Sequence, residues 1–121
     1  MNKARPILLI AFYNGKALGV RYLAKALKNK GYEVNIVYYK GFHSSKPSKT
    51  TEKELQLLVD LIKKINPLFI GLSVMASLYL ETVYLVNKTI RDNFNIPLVW
   101  GGVYPTLFPV EALQYCDYVI R

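Results

Sequence analysis

Residues Ile7–Tyr39, ILLIAFYNGKALGVRYLAKALKNKGYEVNIVYY, decide the fold. Ile7–Phe12 is a continuous apolar run that stops at Asn14-Gly15, the pattern of a strand buried on both faces and therefore of a parallel sheet. From Ala17 to Asn29 the apolar spacing becomes helical, with Leu18, Tyr22, Leu23, Ala26 and Leu27 on one side and Arg21, Lys25 and Lys28 on the other. Gly31 is placed to end that helix from the C′ position, where a left-handed backbone is needed. Glu33–Tyr39 is then β-branched and aromatic, a second strand. Strand, helix and strand in this order form one βαβ unit.

The same alternation runs outward from this unit. Lys40–Thr50 is rich in Ser, Lys, Gly and Pro and reads as a loop. Thr51-Glu52-Lys53-Glu54 makes a capping box for a helix with Leu55, Leu58, Val59, Ile62 and Ile65 on one face, stopped by Asn66-Pro67. Leu68–Met75 is the third buried strand. Ser77 is a candidate N-cap for a helix reaching about Phe94, with Leu80, Val83, Val86 and Ile90 turned inward. Ile96–Trp100 is a fourth strand broken by Gly101-Gly102, and a short helix over Val110–Tyr115 precedes a last strand, Asp117–Ile120. The expected fold is a doubly wound three-layer α/β sandwich of the Rossmann-like/flavodoxin-like kind, with a five-stranded parallel sheet in the order 2-1-3-4-5.

At 121 residues the chain suits one domain, residues 1–121. Hydrophobic residues at 52% exclude a disordered chain, and one Cys excludes a disulfide framework or a Cys-rich cluster. That cysteine usage suits the cytoplasm. The net charge of +8 is uneven: Met1–Lys64 carries 13 Lys+Arg against 4 Asp+Glu, and Ile65–Arg121 carries 3 against 4. The basic residues are dispersed, without an Arg run or interleaved aromatics, so they read as a solvated or acid-docking face rather than a nucleic-acid footprint. Leu68–Leu80, the longest apolar stretch, is shorter than the ~20 residues of a membrane span. Met1–Tyr13 mimics the start of a signal peptide, but no small-residue cleavage site follows and removal would delete the first strand.

In a sheet of this order the ligand crevice lies at the carboxyl ends of the strands, where the winding reverses between the first and third strands. The segments to inspect are Tyr13–Gly19, Ser73–Ser77 and Gly101–Thr106. They hold no acidic pair for a phosphorylatable receiver site and no hydroxyl-rich phosphate loop after the first strand for a flavin. The dinucleotide fingerprint G-x-G-x-x-G is also missing there. Gly101-Gly102 reads either as a tight turn or as a place where a nucleotide tail meets the backbone. Ser73 reads as a buried hydroxyl or as a donor to that tail. Tyr13, Tyr79 and Tyr104 each follow a strand end and suit either a flat ligand or the rim of the core. His43 reads as a surface loop residue and Cys116 as a small core hydrophobe.

Asn14-x-Lys16-x-x-Gly19 has the spacing of the D-x-H-x-x-G motif of cobalamin-binding domains, which it resembles. Ser73-Val74-Met75 is similar to that family's S-x-L/S-x-T element, and Gly101-Gly102 to its G-G element. Leu18–Leu27, Gly31-Tyr32-Glu33-Val34, Ile70–Met75 and the tail Asp117–Arg121 together resemble the N-terminal cobalamin-binding domains of radical S-adenosylmethionine enzymes. The resemblance implies that the corrinoid is held by Tyr13, Asn14, Gly15, Lys16, Gly19, Ser73, Val74, Met75, Gly101, Gly102 and Tyr104. It also implies a longer chain, with an iron–sulfur cluster and S-adenosylmethionine in a C-terminal radical domain, and methyl transfer as the chemistry. This chain departs from the family at two positions. Lys16 stands where the wider family has the cobalt-ligating His, and Asn14 where it has the supporting Asp. A protonated Lys offers no lone pair, so the implied binding lacks a His axial ligand and no residue is assigned to the metal. The rival expectation is an α/β interaction module that keeps the fold without the cofactor and docks an acidic partner through its basic half.

Overall fold

The structure, a computed structural model, describes residues 5–12, 18–39, 52–74 and 80–120, excepting the side chains of residues 18, 19, 103 and 104. The chain alternates strictly: β1 (Ile7–Phe12), α1 (Leu18–Asn29), β2 (Val34–Tyr39), α2 (Glu52–Ile65), β3 (Phe69–Ser73), α3 (Leu80–Asn93), β4 (Leu98–Gly101), α4 (Val103–Leu107), α5 (Pro109–Ala112) and β5 (Tyr118–Ile120). All strands are parallel, in the order β2-β1-β3-β4-β5. This is the expected doubly wound sheet.

Two apolar layers flank it. On one face Leu8, Ile10, Phe12, Ile70, Leu72, Leu98 and Trp100 pack against Leu58 and Ile62 of α2 and Val83, Val86 and Ile90 of α3. On the other, Ile7, Leu9, Ala11 and Val34 pack against Val20 and Ala24 of α1. Every residue of β1 is buried, as a central parallel strand between two layers requires.

The helix ends follow their residues. Gly31, at φ 96°, closes α1 with two bonds, Gly31 N–H to the Lys28 carbonyl (3.0 Å) and Tyr32 N–H to the Leu27 carbonyl (3.1 Å). That is a Schellman motif. Asn66, at φ 51°, ends α2 with one bond from its N–H to the Ile62 carbonyl (2.8 Å), leaving Pro67 to turn the chain. Arg5 donates to the carbonyls of Asn66 and Pro67 at 3.1 and 2.6 Å, which ties the entry of β1 to the entry of β3.

The structure departs from the sequence reading at the inner face of α1 and in the second half of the chain. The inward face of α1 is Val20, Ala24 and Leu27, while Tyr22 and Leu23 are exposed, because the smaller side chains let the helix lie close to the sheet. The third strand ends at Ser73 and the fourth starts at Leu98 and includes Gly101. A short helix, α4, occupies Val103–Leu107, where the sequence reading places no element. The next helix is Pro109–Ala112 with turn residues to Tyr115 rather than Val110–Tyr115. The Thr51 and Ser77 caps, the 40–50 loop and His43 lie outside the described residues.

Candidate functional site

The carboxyl ends of β1, β3 and β4 lie side by side, and their registers define one row. Ala11 of β1 pairs with Ser73 of β3, Ser73 with Gly101 of β4, and Gly101 with Ile120 of β5. Side chains alternate across a strand, so these positions share the face that carries α1. The row is small: a buried Ala, a half-buried Ser and a half-buried Gly side by side.

The glycines in and below this row differ in what they do. A Cβ on Gly71, one step toward the amino ends, would sit 2.8 Å from Leu9 Cδ2, so Gly71 is needed for packing. Among the described residues a Cβ on Gly101 would meet only Ile120, at 3.8 and 3.9 Å, which is ordinary contact, and nothing demands a glycine there. Gly102 has φ 112°, a backbone few L-residues adopt, so its glycine serves the turn itself.

The turn is held by its neighbours. Val74 N–H donates to the Gly101 carbonyl at 2.8 Å and Thr106 Oγ1 donates to the Gly102 carbonyl at 2.8 Å. Val74 is buried, so it acts by its backbone and by filling the core under the crevice. Beneath the turn, on the opposite face of the sheet, Trp100 is fully buried, and its indole N–H donates to Asn87 Oδ1 at 3.0 Å. Asn87 Nδ2 donates to the Tyr115 carbonyl at 2.9 Å. The rings of Tyr84, Trp100 and Tyr115 stack, with centroids 4.7–6.4 Å apart.

The base of β4 is fixed separately. Leu98 N–H donates to Asp117 Oδ2 at 2.8 Å, and Arg91 lies 3.1 Å from the same oxygen. That backbone bond, then Arg91, hold the Asp117 carboxyl below its ordinary range. Cys116 is buried, its Sγ 3.3 Å from the Ala112 carbonyl and 3.2 Å from that of Tyr118. Burial raises its thiol pKa, as suits a small core residue rather than a reactive thiol.

Of the residues singled out in the sequence, Ser73, Val74, Gly101 and Gly102 come together at the crevice. Gly19 lies in the first turn of α1 and Tyr104 in α4, whose side chain is not described. Tyr13, Asn14, Gly15, Lys16 and Met75 fall outside the described residues. The sequence reading missed Ala11, and it reached Thr106 only as the end of a segment to inspect, with no role assigned. Ala11 could have been found from the period-two pairing of small residues across the strands. No group of three or more His, Cys, Asp or Glu able to hold a metal occurs among the described residues. No helix among them is long and apolar enough to cross a membrane.

Comparison with known proteins agrees with this geometry. No curated protein matches the chain. Among solved structures, a novel cobalamin-binding protein from Desulfitobacterium hafniense DCB-2 superposes with a TM-score of 0.64 at 18% identity. The match covers 95% of this chain and 52% of that one, so this chain spans about half the length of that protein. The family model described as the B12 binding domain matches residues 5–121. With nearly the whole sequence inside that match, the chain belongs to the B12-binding domain family.

Proposed function

We infer that the chain is a corrinoid-binding module that holds the nucleotide tail of cobalamin over the row Ala11–Ser73–Gly101 and against the Gly102 turn. The observation that carries this is the row of small residues that the registers bring together at the carboxyl ends of β1, β3 and β4, where among the described residues a Cβ on Gly101 would make only ordinary contact. The residues fit the group. A bulky cofactor edge needs a face without projecting side chains, and the Ser73 hydroxyl supplies a polar atom for a base or ribose. Around that face, Tyr13, Asn14, Gly15, Lys16, Gly19, Val74, Met75 and Tyr104 are the further residues assigned to the cofactor from their motifs.

When bound, the cobalt supplies methyl-group transfer, and the chain's own residues bind and orient. The radical S-adenosylmethionine assignment rests on the likeness of Leu18–Leu27, Gly31–Val34, Ile70–Met75 and Asp117–Arg121 to domains of such enzymes. In this reading the iron–sulfur cluster and S-adenosylmethionine belong to a C-terminal domain of a longer cytoplasmic protein. The 121 residues have a single Cys and turn over no S-adenosylmethionine on their own. With Lys16 and Asn14 in place of the His and Asp of the wider family, no imidazole of the motif reaches the metal.

The test is incubation with hydroxocobalamin followed by desalting. Retained red colour in the wild type and its loss in Gly101→Val support the reading. A colourless wild-type protein refutes it and favours an interaction module that has lost the cofactor. The cob(II)alamin electron paramagnetic resonance spectrum tests the axial site: cobalt lines not split by an axial nitrogen are expected. Resolved triplets in a His43→Ala protein would refute the nitrogen-free lower face.

A further inference from the structure

We propose that Asn87 and Trp100 act together as positioning residues for the corrinoid, an inference that rests on the binding reading above. Trp100 immediately precedes the Gly101–Gly102 turn, so the angle at which its side chain is seated fixes how the strand delivers that turn to the crevice. Its seat is specific. The ring is fully buried against Tyr84 and Tyr115, which also stack on each other, and its single donor is spent on Asn87 Oδ1 at 3.0 Å. Asn87 is itself buried, and its amide nitrogen is spent on the Tyr115 carbonyl at 2.9 Å. One amide on α3 thereby joins the end of β4 to the link that leads into β5.

A buried polar pair is a costly way to fill a core if filling is all that is required. A Leu at position 87 and a Phe at position 100 would fill space without any donor to satisfy. A hydrogen bond adds direction, which apolar packing lacks. With that bond made and the ring packed, the indole is anchored to α3, and through its Cα it holds the β4 backbone immediately before Gly101. Gly102, held by Thr106, is the next link. The pair therefore restricts the turn to one orientation before the cofactor arrives, and pre-organisation of this kind raises affinity without touching the ligand.

The test uses the 121-residue chain with hydroxocobalamin, reading the dissociation constant by equilibrium dialysis at the corrin absorbance and Tm in parallel. Trp100→Phe keeps an aromatic ring at the stack and removes the donor together with part of the ring volume, whose stability cost the parallel Tm reads, and Asn87→Ala removes the acceptor. Each is expected to weaken binding about tenfold, the scale of one buried hydrogen bond left unmade. The double variant should bind no more than about twofold worse than the weaker single, as for two residues acting through one contact. Ile62→Val in α2 is the control: it lowers Tm by core loss and leaves the dissociation constant unchanged. Trp100→Phe carries the result if Asn87→Ala does not fold. Wild-type affinity in a folded Trp100→Phe protein, or multiplicative losses in the double variant, would overturn the inference while leaving cobalamin binding intact. A wild-type chain that retains no hydroxocobalamin overturns the binding reading and this one with it.

Discussion

Replacing either Gly71 or Gly101 with Ala adds the same methyl group to the same face of neighbouring strands, yet the two changes should move stability in opposite directions. At Gly71 the new Cβ meets Leu9 Cδ2 at 2.8 Å, inside contact distance, and Leu9 is buried under α1. Overpacking of this kind costs about 1–3 kcal/mol, and a value in the lower half, about 1.5 kcal/mol, applies because the offended atom is a terminal methyl. Against it stands the backbone advantage of Ala over Gly, about 0.5–1 kcal/mol in a strand or helix interior. The net for Gly71→Ala is a loss of about 0.5–1 kcal/mol. At Gly101 the nearest atoms are 3.8 and 3.9 Å away, so no packing cost offsets the backbone term and a gain of about 0.5 kcal/mol is expected. Urea unfolding, with equal slopes required for both variants, reads the difference of about 1–1.5 kcal/mol directly. Hydroxocobalamin affinity is expected to fall for Gly101→Ala although its stability rises, and to fall further for Gly101→Val. A Gly101→Ala protein that is destabilised as much as Gly71→Ala would refute the reasoning, because the space above Gly101 would then be part of the packed fold.

Further outcomes follow from the other special positions. Gly102→Val should cost roughly 1–3 kcal/mol through its φ of 112° alone, so a loss of cobalamin there cannot be read without a parallel Tm, and Gly101 is the cleaner probe. Gly31→Ala meets no atom within 4 Å at φ 96°, so its loss of about 1 kcal/mol in urea unfolding is purely conformational, and no loss would mean that the α1 cap relaxes. Asp117→Asn should lower stability at pH 7 by about 1 kcal/mol, discounted because the carboxylate is 40% exposed. The folded pKa of Asp117 is depressed, so this contribution is present above the unfolded value of 3.8 and disappears as pH falls through the folded one; a difference from wild type that grows toward low pH would contradict it. Trp100 is the sole tryptophan, and cobalamin absorbs where indole emits, so binding at the crevice should quench its fluorescence in proportion to occupancy; undiminished emission at saturation would place the cofactor elsewhere.

The parts of the fold that depend on local pattern were legible. Continuous apolar runs gave the strands, Gly31 and Asn66-Pro67 gave two helix ends, and the alternation gave the sheet order. The inward face of α1 was not, because counting large apolar residues favours Tyr22 and Leu23, whereas close approach to a sheet favours Val20 and Ala24. Helix α4 was hidden by Pro105, which is tolerated near the start of so short a helix. In the candidate site, Gly101-Gly102 and Ser73 stood out because glycines and hydroxyls at strand ends are visible in one dimension. The row that includes Ala11 was not, since it exists only through the registers of three strands. Asn87 and Trp100 were equally silent: their bond joins a helix to a strand, and neither residue lies in a motif.

The two sides of the sheet also differ in how firmly they hold it. Among the described residues, the apolar cluster under α1 gathers β1, β2 and Phe69 of β3 but does not reach β4 or β5, where Tyr118 and Ile120 point to that face and remain half or more exposed. Amide hydrogens exchange through local openings, and the openings of an edge strand of three residues, packed on one side, cost far less than those of β1. Deuterium should therefore enter β5 first and β1 last. A corrinoid seated over Gly101 and Ile120 would slow exchange most in the strand that is weakest without it, so the protection gained on loading would mark, amide by amide, how far across the sheet the ligand reaches.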